Sequence, residues 1–226
     1  FVLIKVNADG EFIASNQWGG VDDDFAYDLI ENSSINSFIV VGSTTSFQPP
    51  PLNGKSVLIA EFGNPLNLKT KATHGGSSDD IANNIKLVAD GYLICGESRS
   101  NGNGGNDVYL LKTSTNIFNA YFEKHIGGTG NDMAHAITTT VNGETLIAGN
   151  TGSFGNGNDG TKDGYLIKVD ANGNELFQQT FGNSGDENIT DILSLSNGKI
   201  LLLGVSEVSG NQQITLTKTK EDGTLN

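Results

Sequence analysis

A chain of 226 residues with 26 acidic and only 13 basic side chains carries a net charge of −13. A surface of that sign is repelled by nucleic acid and by anionic membrane alike. No apolar run reaches the ~18 residues that a membrane-spanning helix needs, and a single cysteine leaves no internal disulfide to form. Abundant glycine, asparagine, serine and threonine point to turn-rich β structure rather than helices.

The chain opens at Phe1 without a Met or a signal peptide, and Val2–Val6 already reads as a strand in mid-repeat. A longer, processed precursor is the expectation this raises. Residues 12–18 form a second apolar run that leads into Gly19-Gly20, where the unit that organises the chain begins. It reads Gly-Gly-Val-Asp-Asp-Asp-Phe-Ala-Tyr-Asp-Leu from Gly19, and it returns at Gly75, at Gly127 and, in worn form, at Gly182. The intervals run from 52 to 56 residues. A period of that size signals an array of one supersecondary unit whose copies bury their apolar faces against each other.

Each repeat divides into four short apolar runs. The first follows the acidic pair, at 25–30, 81–88, 133–140 and 188–195. The second ends on a glycine, at 38–42, 92–96, 145–149 and 199–204. The third has five copies, at 2–6, 57–61, 109–113, 165–169 and 214–218. The fourth returns to the next glycine pair, at 12–18, 66–74, 118–126 and 176–181. Runs of this length, rich in Val, Ile, Thr, Tyr and Phe, read as strands. The Asp-Gly and Asn-Gly steps at Gly10, Gly91, Gly143, Gly173, Gly198 and Gly223 favour the positive φ of two-residue hairpin turns. Ala82 and Ile85, like Ala134 and Ile137, are spaced as on a helix, yet no run is long enough for a stable one. Four hairpin-linked strands per repeat, packed sheet on sheet, make an all-β fold: a β-propeller of four-stranded antiparallel blades. We expect one domain over residues 1–226. With five copies of the third run, an arc of a larger ring is favoured over a closed four-bladed one.

The order Gly-Gly, acidic pair, x-Ala-x-x-Ile, Asp/Asn-Gly, apolar strand, Gly-x-Thr/Ser resembles the bacterial seven-bladed β-propeller repeat. It is seen in residues 19–46, 75–100 and 127–153, with the fourth copy departing at Asn183 and Ile189. The resemblance implies fold and is nearly silent on activity. It also implies a bacterial, extracellular or cell-surface setting, associated with the outer membrane or held there as a lipoprotein.

The regular polar feature is the acidic pair, Asp23/Asp24, Asp79/Asp80, Asn131/Asp132 and Asp186/Glu187. Its carboxylates read as a partial ring near a central channel, able to bind a cation or a basic partner, or else as acceptors for the backbone of their own Gly-Gly turns. Residues 103–107 and 156–163 share residue types with calcium loops but lack a regular ligand ladder. No cofactor is expected, calcium being the one ion these carboxylates suit. The three histidines fall in different registers and do not assemble, and Cys95 reads as a small core hydrophobe. Lys5, Lys112 and Lys168 recur in the third run, with stems along a seam and amines at solvent or paired to carboxylates.

These features support a non-enzymatic scaffold that meets a protein partner of the cell envelope through loops 44–56, 98–107 and 151–164. One rival is a glycan-binding module with Trp18, Tyr92, Tyr109 and Tyr165 as stacking platforms. Another is a calcium-dependent hydrolase or lyase with its site in the channel.

Overall fold

The computed structural model describes residues 1–47, 54–155 and 161–225. Among the described residues every regular element is a strand. A first sheet holds β1 (Val2–Val6) and β2 (Phe12–Gln17). The second holds β3 (Asp24–Asn32), β4 (Ser37–Thr44), β5 (Ser56–Gly63) and β6 (Leu68–His74). The third holds β7 (Asp80–Val88), β8 (Gly91–Ser98), β9 (Asp107–Ser114) and β10 (Ala120–Ile126). The fourth holds β11 (Asp132–Thr139), β12 (Thr145–Thr151), β13 (Asp163–Val169) and β14 (Glu175–Phe181). The fifth holds β15 (Glu187–Ser194), β16 (Ile200–Val208) and β17 (Asn211–Thr219). Strands pair antiparallel in sequence order, and the leading strands β3, β7, β11 and β15 abut one another in succession. The sheets are the blades of a β-propeller.

Each seam between blades is a separate apolar cluster. Ile39, Val41 and Ile59 of the second blade meet Ile85, Tyr92 and Tyr109 of the third. Leu93, Cys95 and Leu110 then meet Ile137, Ile147 and Tyr165, and Leu146, Ala148 and Leu166 meet Ile189, Ile192 and Leu202. Cys95 is fully buried, and burial pushes its thiol pKa up, so it packs as the small hydrophobe expected.

The helix-like spacing in the first run has a β explanation. A bulge shifts the register between Ala82 and Asn84, between Ala134 and Ala136, and between Ile189 and Asp191. One extra residue inverts the side-chain alternation, so Ala82 and Ile85 both face the seam, 0% and 3% exposed. The glycine that closes the second run sits opposite this bulge. A Cβ on Gly96 or Gly149 would lie 1.9 Å from the carbonyl oxygen of Ile81 or Met133, and the same holds for Gly42 against Phe25. The recurrent glycine is therefore where one backbone presses on another.

Five of the six glycine turns are wider than the two-residue hairpins expected; the sixth, Ala89-Asp90 between the paired Val88 and Gly91, is a two-residue loop. Gly10, Gly143, Gly173, Gly198 and Gly223 do take φ between 75° and 83°. Their frame spans five residues, as in Asn7 N–H donating to Glu11 O at 2.9 Å, and in two of them an Asx side chain holds the turn: Asn7 Oδ1 accepts from the amides of Asp9 and Glu11, and Asp170 Oδ1 from those of Asn172 and Asn174. β1 pairs with β2 alone, and the edge of β16 is taken by β17. A closed four-bladed ring needs β1 on that edge, so the described strands do not close such a ring, and residues 214–218 are a working strand.

Candidate functional site

The second acid of each pair ties its own blade together. Asp132 Oδ2 accepts from Gly128 N–H at 2.8 Å and Ser153 Oγ at 2.6 Å, while Oδ1 accepts from Thr151 Oγ1. Asp80 repeats this with Gly76 N–H and Ser100 Oγ, Asp24 with Gly20 N–H, Ser46 and Thr44, and Glu187 with Asn183 N–H and Ser206. The first acid ties the preceding blade. Asp79 accepts Lys55 N–H at 2.8 Å, Asn131 accepts Asn106 N–H at 2.9 Å, and Asp186 accepts Lys162 N–H at 2.9 Å. The acids proposed as a ring are thus spread over the junctions, with their acceptor capacity directed at the chain's own amides and hydroxyls.

Asp23 differs. Among the described residues no hydrogen bond engages its carboxylate or that of Asp22, and both side chains are exposed. They line, with Gln17, Trp18, Gly19 and Asp24, a cleft of about 450 Å³. One lining residue is the half-buried Trp18, whose indole is stacked on Phe47 at 5.0 Å between centroids, tilted against Phe1 at 5.3 Å and met edge-on by Phe62 at 6.1 Å. Lys71 Nζ lies 4.3 Å from the Phe47 ring centre and 5.9 Å from that of Trp18. A rigid aromatic face beside acceptor-only carboxylates suits a ligand with C–H faces and hydroxyl donors. Sequence reasoning named Trp18 and Asp23 but missed Asp22, Phe47 and Lys71. The triple Asp22-Asp23-Asp24, present in one repeat only, was the available signal.

A second polar array follows the leading strands. Asn84 Nδ2 donates to Asp28 Oδ2, and Asn84 Oδ1 accepts from Ile137 N–H. Farther along, Asn150 Nδ2 lies 3.0 Å from both His135 Nε2 and Asn188 Oδ1. Burial, aided by the Lys162 charge, holds the His135 pKa below its ordinary value. His74 donates to Ile117 O at 2.8 Å, and His125 Nε2 lies 3.5 Å from Glu123 Oε1, whose pKa that contact lowers. The histidines stay apart, as their registers imply. Lys112 pairs with Asp90 at 2.9 Å and Lys168 with Glu144 at 2.5 Å, while Lys5 bonds Asn64 Oδ1.

Three of the four proposed stacking platforms are corrected by the structure. Tyr92, Tyr109 and Tyr165 are at most 1% exposed, because their rings fill the seams. Only Trp18 is half-buried and lines a cleft. In loop 103–107, Asp107 accepts Asn103 N–H, a local turn contact; most of the second calcium-like loop lies outside the described residues, as does part of loop 44–56. Among the described residues no three His, Cys, Asp or Glu side chains converge on a point where a metal ion could be held.

No family model matches the chain, and no curated protein matches it. Among solved structures the chain is similar to the native arabinanase Arb43A of Bacillus subtilis, at 15% identity and a TM-score of 0.46, over 86% of this chain and 72% of that one. At that identity and score the likeness gives this chain neither a substrate nor site residues. It does correct one expectation: the solved structure is named as an enzyme, so the reading of the present chain as a non-enzyme is withdrawn.

Proposed function

We propose that this propeller recognises carbohydrate, in the cleft between the Trp18 indole and the Asp22 and Asp23 carboxylates. The observation that supports this is the half-buried Trp18, held by Phe1, Phe47 and Phe62, lining a cleft with two carboxylates that no described group engages. A sugar ring stacks its C–H face on such an indole and donates its hydroxyls to the acids. Packing against Phe1, Phe47, Phe62 and Lys71 holds the indole in place before a ligand arrives.

Trp18 is the only tryptophan, and its emission therefore reports on this cleft alone. Titration with a panel of neutral oligosaccharides, arabino-oligosaccharides included, is expected to shift that emission saturably. Asp23→Asn should weaken the response at least severalfold, and Trp18→Phe should be followed by calorimetry. Flat emission and silent calorimetry across the panel at millimolar sugar would end the proposal. Release of reducing ends from a bound oligosaccharide would add hydrolysis to recognition at the same cleft.

A further inference from the structure

The third strand of each blade sends alternate side chains back toward the preceding blade. In β9 these are Tyr109, Leu111 and Thr113, and in β13 Tyr165, Ile167 and Val169, none more than 1% exposed. Strand register identifies their counterparts in β17. Tyr109 pairs with Gly96, Tyr165 with Gly149 and Thr215 with Gly204, the glycine that closes the second run in each case. Thr215, Thr217 and Thr219 therefore occupy the three seats. A phenol ring and a branched alkyl chain are replaced by two threonines.

The space they leave is a cavity of about 360 Å³ in the seam between the fourth and fifth blades, lined among others by Phe181, Glu187, Ile189, Leu202, Ser206 and Thr215. The space is partly open to solvent, with the exposed Leu225 on its rim, and its volume lies in the range of small-molecule pockets. The two neighbouring seams show what the seat accommodates. The Tyr165 hydroxyl donates to Gln178 Oε1, on the fourth strand of its own blade, and the Tyr109 ring is met edge-on by His125 at 5.5 Å. The fifth blade has no described fourth strand to supply such a partner; the acid on its cavity wall is Glu187, 8% exposed. Its carboxylate accepts Ser206 Oγ at 2.7 Å and Asn183 N–H at 3.1 Å, which leaves lone pairs for a further donor.

We propose that this cavity binds a small molecule carrying a phenol ring, the ring filling the seat that register assigns to Thr215 and Thr217, with its hydroxyl donating to a free lone pair of Glu187. Phe181, Ile189 and Leu202 supply the apolar walls for the ring. The site is separate from the Trp18 cleft and stands or falls without it.

The probe is p-cresol, titrated into the whole chain by calorimetry and by ligand-observed NMR. Saturable one-site binding to the wild type is expected, with loss of that binding in Thr215→Tyr, where the built-in ring takes the seat. Thr217→Ile narrows the same cavity by a different side chain and should weaken binding at least threefold. Trp18→Ala should leave p-cresol binding unchanged, which separates this site from carbohydrate recognition. No saturable binding to the wild type overturns the proposal, as does equal binding to Thr215→Tyr and the wild type. Displacement of p-cresol by an equimolar methyl glucoside would overturn the assignment to phenols.

Discussion

Asn84 and Asp28 face each other across a blade seam, with Asn84 Nδ2–H donating to Asp28 Oδ2 at 2.7 Å. The same carboxylate oxygen accepts the Ile85 amide at 3.0 Å, and Asn84 Oδ1 in turn accepts the Ile137 amide of the next blade at 3.1 Å. One side chain thus links three blades at their bulges. Hydrogen bonds to a charged acceptor contribute roughly 1.5–3 kcal/mol, and a stranded partner adds its desolvation cost. Asn84→Leu is expected to destabilise the chain by about 3 kcal/mol in urea unfolding. A double-mutant cycle with Asp28→Ala should return a coupling of about 1–2 kcal/mol; additive single effects would show that the contact is not a link.

Asp132 is completely buried and serves three donors of its own blade. Replacing it with alanine strands the Gly128 amide and two hydroxyls, at a cost of about 3–5 kcal/mol. Asp24 makes the same set of bonds from a half-exposed position, where water can substitute. Asp24→Ala should cost about half as much. Equal losses in thermal unfolding would mean that burial is not what sets the value.

Two glycines make a controlled comparison. A Cβ at position 149 would stand 1.9 Å from Met133 O, whereas one at position 143 meets nothing within 4 Å and only the φ of +83° resists it. Gly143→Ala is expected to cost about 1 kcal/mol, the left-handed penalty alone. Gly149→Ala should cost about 3 kcal/mol or more, since the bulged strand must move. The ratio of the two, read from urea midpoints, is the quantity to check.

His135 gives the pH dependence a sign. Its folded-state pKa is depressed by burial first and by the Lys162 charge second, from an ordinary value of 6.5. The fold therefore favours the neutral ring. That contribution is fully present above pH 6.5 and is lost as pH falls through the depressed folded value. The urea midpoint should drop between pH 7 and pH 5, and His135→Gln should flatten that part of the curve. An unchanged slope in the variant would assign the dependence to other groups.

Most of the architecture could be read from residues because it is local and repeated. The strand runs, the buried Cys95 and the acid-to-turn contacts all follow from patterns inside one unit. The bulge was not legible, since Ala82 and Ile85 carry the spacing of a helix and only pairing with Gly96 shows that a residue has been inserted. The tyrosines misled for a related reason: aromatic composition cannot tell a ring that lines a groove from one that fills a seam. Trp18 was recognisable as an aromatic, but its seat beside the cleft depends on Phe1, Phe47 and Phe62, which come from elsewhere in the chain. The vacancy left by Thr215 is visible only when β17 is laid in register with β9 and β13.

The bonds from Lys55, Asn106 and Lys162 to Asp79, Asn131 and Asp186 carry a consequence for how such a chain can be cut and rejoined. Scission at a Gly-Gly pair would part every long loop from the acceptor that knots it. Scission within a sheet, between its second and third strands but before the loop's end, keeps loop and knot in one fragment. Functional building blocks of this protein, for recombination or for grafting a rim loop, therefore run from mid-sheet to mid-sheet rather than from one blade boundary to the next.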